Sequence, residues 1–287
     1  MSLTKKKNHR SIYVYLYGGL GNQLFQLGSA LAVSGFKKSD KAFLNNYLAD
    51  KHEVKRLPIL HRLIDLNKAN FNFFNSTSFL GTSRLARFVP FTMNNRTFVN
   101  DKNIKKLIDN NLLYQEYYVD GYFQEYLDNK YFGLVKDSII KLISPDFKRS
   151  LIPDNKKLVI HIRGGDFLKF SHGDVCDKNY YKNAIEYMNS KKTFSQVLIV
   201  TDDVEYAKFF IKSCKIKKAK IISNSDPLED FKVIASFNHR IISNSTFAMW
   251  ASVLGNNYDD GLVICPRDFY KGSKRSFDLV NEVSELQ

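Results

Sequence analysis

No run of about 18 apolar residues occurs in this sequence, so the chain is not expected to cross a membrane as a helix. The amino-terminal stretch is basic at Lys5, Lys6, Lys7 and Arg10. The apolar segment after it, Ile12 to Leu16, is too short for a signal-peptide core and has no cleavage-like site, so a cytoplasmic location is expected. Cysteine is scarce. Cys176, Cys214 and Cys265 lie far apart with no C-x-x-C pair, which fits neither a disulfide framework nor a zinc site. Internal repeats and low-complexity tracts are absent, and so is any RNP, KH or zinc-finger pattern, so nucleic acid is not expected as a partner.

What remains is a globular composition: 287 residues, 44% hydrophobic and 25% charged, enough for one large domain or two ordinary ones. Lysine and arginine number 43 against 29 acidic residues, a net charge of +14 that favours polyanions such as anionic lipid or a nucleotide diphosphate. Part of the excess is a run at Lys212, Lys215, Lys217, Lys218 and Lys220, whose plain reading is a solvated face.

Strand-like Ser11 to Tyr17 breaks at Gly18 and Gly19 before a helical pattern through Leu24, Phe25, Leu27 and Leu31. From Asp50 to Arg96 the chain lacks strand alternation and reads as short helices and loops. After Lys157 short apolar runs at Leu158 to Ile162, Val197 to Thr201, Lys220 to Ile222, Arg240 to Ser243 and Leu262 to Ile264 alternate with helical segments. Such alternation predicts a parallel sheet with crossover helices. The punctuation at Pro145, Pro153, Asp154 and Asn155 places a boundary there, giving domains 1–150 and 151–287.

Four motifs fall at predicted strand ends, and the three later ones lie at carboxyl ends of parallel strands, the edge where such sheets bind ligands. Gly18 to Gln23 (G-G-L-G-N-Q) is neither a dinucleotide fingerprint nor a P-loop. It reads as a structural turn or, through Gly19, Asn22 and Gln23, as a ligand loop. His161-Ile162-Arg163-Gly164-Gly165-Asp166 places a cation beside an apolar strand. Arg163 either pairs with Asp166 or grips a phosphate through its planar fork. Thr201-Asp202-Asp203 offers a helix cap or a carboxylate for the paired N–H donors of guanine. Ser243 to Phe247 caps a helix or holds a diphosphate on its N–H and hydroxyl groups.

In this order, with G-Y-F-Q at Gly121 to Gln124, these motifs resemble the α-1,2-fucosyltransferases of glycosyltransferase family 11, whose pattern also has H-x-R-R-x-D and N-S-S/T-F. The resemblance runs from Tyr13 to Tyr270, with one departure: Gly164 stands where the family has its second arginine. It implies an α/β, GT-B-like fold of two Rossmann-like domains with the donor cleft between them, the first domain, which carries the G-G-L-G-N-Q loop, on the acceptor side and the second binding GDP-sugar. It implies transfer of L-fucose from GDP-fucose to the 2-hydroxyl of a galactose-terminated acceptor, with inversion. Arg163 would hold the β-phosphate, while His161 and Asp203 approach guanine. Ser245, Thr246 and Phe247 would line the diphosphate and ribose, and Gly19, Asn22 and Gln23 would close on fucose. Asp166 is the first candidate for a base, with Glu116, Asp120 and Glu125 behind it. No two aspartates are two positions apart, so the metal-holding D-x-D of other sugar transferases is missing and no metal or cofactor is expected. By analogy the product is a surface polysaccharide such as O-antigen, built on a lipid carrier, and the basic chain would touch the anionic inner face of the membrane.

Overall fold

The computed structural model describes residues 9–46, 59–74, 95–111, 113–165, 175–255, 260–270, 273–275, 277–279 and 282–283. The chain divides into two compact units, Met1–Ser144 and Pro145–Gln287. Each is an α/β unit built on a parallel sheet, as the sequence pattern predicts for the second and the family resemblance for both.

The first unit runs β1 (Ser11–Tyr15), α1 (Leu20–Ser34), β2 (Lys41–Asn45), α2 (Leu60–Leu63), a 3-10 turn (Leu66–Lys68), β3 (Asn70–Phe74), β4 (Arg96–Val99), α3 (Ile104–Asn110), β5 (Glu116–Val119) and α4 (Asn129–Ile140). Its strands lie in the order β3-β2-β1-β5-β4, all parallel. Helix α1 is buried on nearly every side, and a β-carbon at Gly28 would stand 2.7 Å from Val135 Cγ1, so the glycine sets how closely α1 and α4 approach. The sequence between Asp50 and Arg96 reads as helices and loops, but Asn70–Phe74 is a strand, paired with β2 so that Asn72 faces Phe43. Asparagine disfavours strands, and here pairing along a sheet edge overrides that local preference. Residues 75–94 of the same stretch lie outside the described residues.

The second unit runs α5 (Pro145–Ser150), β6 (Asp154–Ile162), α6 (Lys178–Lys191), β7 (Gln196–Thr201), α7 (Val204–Ser213), β8 (Ala219–Ile222), α8 (Pro227–Ser236), β9 (Phe237–Ile241), α9 (Thr246–Leu254), β10 (Val263–Ile264), β11 (Asp268–Tyr270), β12 (Ser273–Lys274) and β13 (Glu282–Val283). Six of the strands form a parallel sheet in the order β13-β10-β9-β6-β7-β8, and β11 pairs with β12 in a small ribbon. Leu158 to Ile162 are buried without alternation, as befits a parallel strand covered on both faces.

Strand β9 begins at Phe237, three positions before the Arg240 to Ser243 run that marks it in the sequence, because Asn238 and His239 are polar yet buried; Arg240, inside that run, is buried as well. The Arg240 guanidinium donates to the carbonyls of Ile234 (2.8 Å) and Ala235 (3.0 Å) at the end of α8. Burial lowers its pKa to about 9.

From β6 the chain moves outward to β7 and β8, then crosses back to β9 and on to β10. The connections after β6 and β9 therefore run in opposite directions, which opens a crevice at the carboxyl ends of these two neighbours.

Candidate functional site

The crevice is bridged by two side chains. His161, near the end of β6, places Nδ1 2.9 Å from Oγ of Ser243, which follows β9. His161 is fully enclosed, and burial first, then the positive charge of Arg163, pulls its pKa down to about 3. It is therefore a neutral imidazole at any physiological pH. The strand ends around it are pinned from α6, where the Tyr181 hydroxyl donates to the His161 carbonyl at 3.1 Å and the Tyr180 hydroxyl to that of Ile242.

Directly after β6 the loop 163–165 is held from β7. Arg163 Nη1 donates to Asp202 Oδ2, and the Gly164 N–H donates to Asp202 Oδ1 at 2.8 Å. The Gly165 N–H donates to Asp203 Oδ2 at 3.2 Å, and Gly165 has the left-handed φ of 57° that glycine tolerates. Asp203 Oδ1 also takes the Tyr206 N–H at 3.0 Å, so Asp203 is the N-cap of α7, and these N–H groups keep its carboxylate below the ordinary pKa. The two adjacent aspartates thus clamp the loop, and the carboxylate paired with Arg163 is that of Asp202. Asp166, the partner and base considered from the sequence, lies outside the described residues.

The third wall is the start of α9. Ser245 occupies its N-cap position but makes no side-chain capping hydrogen bond, and Ser245, Thr246 and Phe247 are half-buried. The first-turn N–H groups of a helix lack intrahelical partners and favour an anion. Phe247 stands 6.2 Å from the His161 ring, centroid to centroid, and is braced edge-on by Phe231 at 5.2 Å. His161, Arg163, Asp202, Asp203 and Ser245 to Phe247 are therefore gathered along one sheet edge: a fixed guanidinium, a neutral imidazole, a helix start and two carboxylates.

In the first unit Gly18 to Gln23 forms the turn from β1 into α1. Gly18 has φ 72°, and Asn22 folds back so that its Nδ2 lies 2.5 Å from where a Gly18 β-carbon would be. Gly19 is the N-cap of α1. Gln23, expected beside the fucose, is buried, and its Nε2 donates to the Gly18 carbonyl at 3.0 Å. Gln26 supports Tyr17, just before the turn, twice, accepting its N–H at 3.1 Å and donating to its carbonyl at 3.3 Å. Gln23 and Gln26 thus both hold the backbone of this turn.

At the end of β5 the Tyr17 hydroxyl donates to Asp120 Oδ1 at 3.3 Å. Asp101, after β4, accepts the N–H groups of Tyr122 and Phe123, and Phe123 is held at a left-handed φ of 64°. Burial raises the pKa of Asp101, with the Asp120 charge adding to it. A β-carbon at Gly121 would come within 2.8 Å of Asp101 Oδ2, which explains the glycine of the G-Y-F-Q motif. Glu116, considered as a base, sits at the opposite, amino-terminal end of β5, paired with Arg96 at 2.6 Å. It is thereby removed from the carboxyl edge. Glu125 is exposed on the surface after the motif.

Sequence reasoning missed Asp101 altogether, and it marked Asp202 and Ser243 only as members of motifs, without their contacts to Arg163 and His161. Those contacts span 39 and 82 positions, so only the strand order brings the partners together. Among the described residues no helix is long and apolar enough to cross a membrane.

Residues 2–276 match the profile of the family described as Glycosyl transferase family 11. The chain is 26% identical to an alpha-1,2-colitosyltransferase of Escherichia coli, over 92% of this chain and 94% of that one. It is 24% identical to the O-antigen biosynthesis glycosyltransferase WbnK of Escherichia coli, over 92% and 97%. Among solved structures it resembles the fucosyltransferase NodZ from Bradyrhizobium, with a TM-score of 0.53 and 12% identity over 88% of this chain and 96% of that one. A NodZ alpha-1,6-fucosyltransferase crystal soaked with GDP-fucose gives a TM-score of 0.50 with 13% identity over 88% and 96%. At these identities the structural likeness speaks to the fold.

Proposed function

The chain belongs to glycosyltransferase family 11, and from that premise we propose that it transfers L-fucose from GDP-fucose to the 2-hydroxyl of a galactose-terminated acceptor, with inversion. The observation that carries this reading is the fixed Arg163 guanidinium, held by Asp202 at the carboxyl edge of β6 beside the start of α9. Breaking the bond between the sugar C1 and the β-phosphate oxygen leaves negative charge on the diphosphate. A preorganised guanidinium and the N–H groups of a helix start stabilise that charge without reorganising, and no metal or cofactor is then needed. Asp202 acts here as a positioning residue, since its second oxygen grips the Gly164 N–H and so fixes the loop as well as the side chain.

The neutral His161 and the carboxylate of Asp203 would meet guanine, while Ser245, Thr246 and Phe247 take the diphosphate and ribose. Gly19 and Asn22 would border the fucose, with Gln23 as the strut beneath them. The acceptor oxygen forms the new bond to C1 on the face opposite the departing diphosphate, and its proton passes to Asp166 or to solvent. One relative named for O-antigen biosynthesis supports an acceptor belonging to a surface polysaccharide.

The similarity to an alpha-1,2-colitosyltransferase favours a second reading, in which the donor is another GDP-deoxyhexose. A screen of GDP-sugars with a galactoside acceptor, followed by NMR assignment of the linkage, separates the two. Turnover with GDP-fucose and an α-1,2 product supports the first reading. Turnover confined to a different GDP-deoxyhexose supports the second, and turnover with neither overturns both.

A further inference from the structure

The end of α7 and the turn into β8 carry Lys212, Lys215, Lys217, Lys218 and Lys220, all exposed. Two nearby lysines, Lys208 on α7 itself and Lys232 on α8, are matched by a carboxylate one turn away, Glu205 at 2.7 Å and Glu229 at 2.8 Å. None of the five makes an ion pair with a described residue. Lys215 and Lys218 moreover adopt left-handed φ values of 52° and 55°, where glycine or asparagine would fit with less strain. Three positions before Lys212, on the same face of α7, the Phe209 ring is 55% exposed.

We propose that this face docks peripherally on an anionic lipid bilayer, the ammonium groups lying against lipid phosphates and the Phe209 ring entering the interface. Lysines near such a surface add their attractions, and an aromatic ring at headgroup level anchors what charge has gathered. The run contains no arginine, the residue whose planar fork reads phosphates and base edges one by one, so its chemistry suits a diffuse lipid field better than a nucleic acid. The turn precedes β8 and so lies at the amino-terminal edge of its parallel sheet, opposite the carboxyl edge that carries Arg163. A bilayer bound there leaves the site uncovered.

The test is co-sedimentation with phosphatidylcholine vesicles, with and without phosphatidylglycerol, at about 0.1 M salt, where exposed charges still act over roughly 10 Å. The full chain should bind only the vesicles containing phosphatidylglycerol. The triple variant Lys215→Ser/Lys217→Ser/Lys218→Ser should bind on the order of a hundredfold more weakly, since each lysine contributes about fivefold. Phe209→Ser should also weaken binding, whereas the control triple Lys136→Ser/Lys141→Ser/Lys148→Ser should change it little. Equal binding to neutral vesicles, an equal loss in the control triple, or binding to single-stranded RNA with none to vesicles would overturn the proposal. GDP affinity, measured in parallel, should be the same in every variant. Its absence from the wild type would count against the transferase reading and leave the membrane result standing.

Discussion

A β-carbon at Gly164 would stand 2.5 Å from Cβ of Asp203 and 3.0 Å from its Oδ2, so the two positions are sterically coupled. Gly164 is also where this chain departs from the H-x-R-R-x-D pattern of its family. Asp203 cannot retreat freely, because its two oxygens hold the N–H groups of Tyr206 and Gly165. The missing arginine is therefore matched by a loop that packs too tightly to admit one.

Restoring the family's arginine should accordingly do harm. Gly164→Arg, and to a lesser degree Gly164→Ala, is expected to cost about 1–3 kcal/mol of stability through overpacking, and to weaken GDP binding by disturbing Arg163. Chemical denaturation and GDP titration measure the two effects. A Gly164→Arg protein as stable as the wild type and more active would show that the loop relaxes readily.

Asp203 has two duties that separate by substitution. Asp203→Ala removes the N-cap of α7 and should cost about 1 kcal/mol. Asp203→Asn can keep the cap, since its amide oxygen still accepts an N–H, but it no longer offers the paired acceptors that guanine N1–H and N2–H require. Because the Asn NH2 cannot accept the Gly165 N–H that Asp203 Oδ2 holds, Asp203→Asn is expected to lose part of the stability that Asp203→Ala loses, with weaker GDP binding and a smaller effect on pyrophosphate affinity. Equal weakening for both ligands would make the residue a cap alone.

Burial holds His161 neutral, with a pKa of about 3 in the folded chain against an ordinary value of 6.5. Between those values the unfolded chain carries the extra proton, so folding loses up to about 1.4 kcal/mol for each pH unit below 6.5, while the contribution is flat above it. His161→Asn removes the titration and should flatten the acid side of the stability profile. Parallel profiles for the two proteins would show that His161 takes up its proton without unfolding.

Much of the second unit was legible because parallel strands buried on both faces, such as Leu158 to Ile162, write themselves as continuous apolar runs. The helix Thr246–Leu254 follows directly from its hydroxyl start and apolar body. Where burial is polar the signal fails, as at Asn238 and His239, whose partners Asp260 and Lys192 lie elsewhere in the fold. In the first unit the strands β2 to β5 are four or five residues long, too short to show a period by themselves. The site was legible as motifs and not as contacts: Arg163 stood out as a cation after an apolar strand, but its partner Asp202 lies 39 positions away, just past the end of the neighbouring strand β7.

If the diphosphate charge is met by Arg163 and the start of α9, chelation should have no effect. Turnover measured with and without EDTA is expected to agree within error. Activity lost on chelation and recovered with Mn²⁺ would place a metal at the leaving group.

The most direct test of the central claim is kcat for Arg163→Lys, measured on folded protein shown to bind GDP. Lysine keeps the charge and loses the planar fork that Asp202 orients. If Arg163 stabilises the departing diphosphate, kcat should fall on the order of a hundredfold or more while GDP affinity changes modestly. Turnover close to wild type, accompanied only by a lower melting temperature, would reduce Arg163 to one half of a structural ion pair and contradict the mechanism.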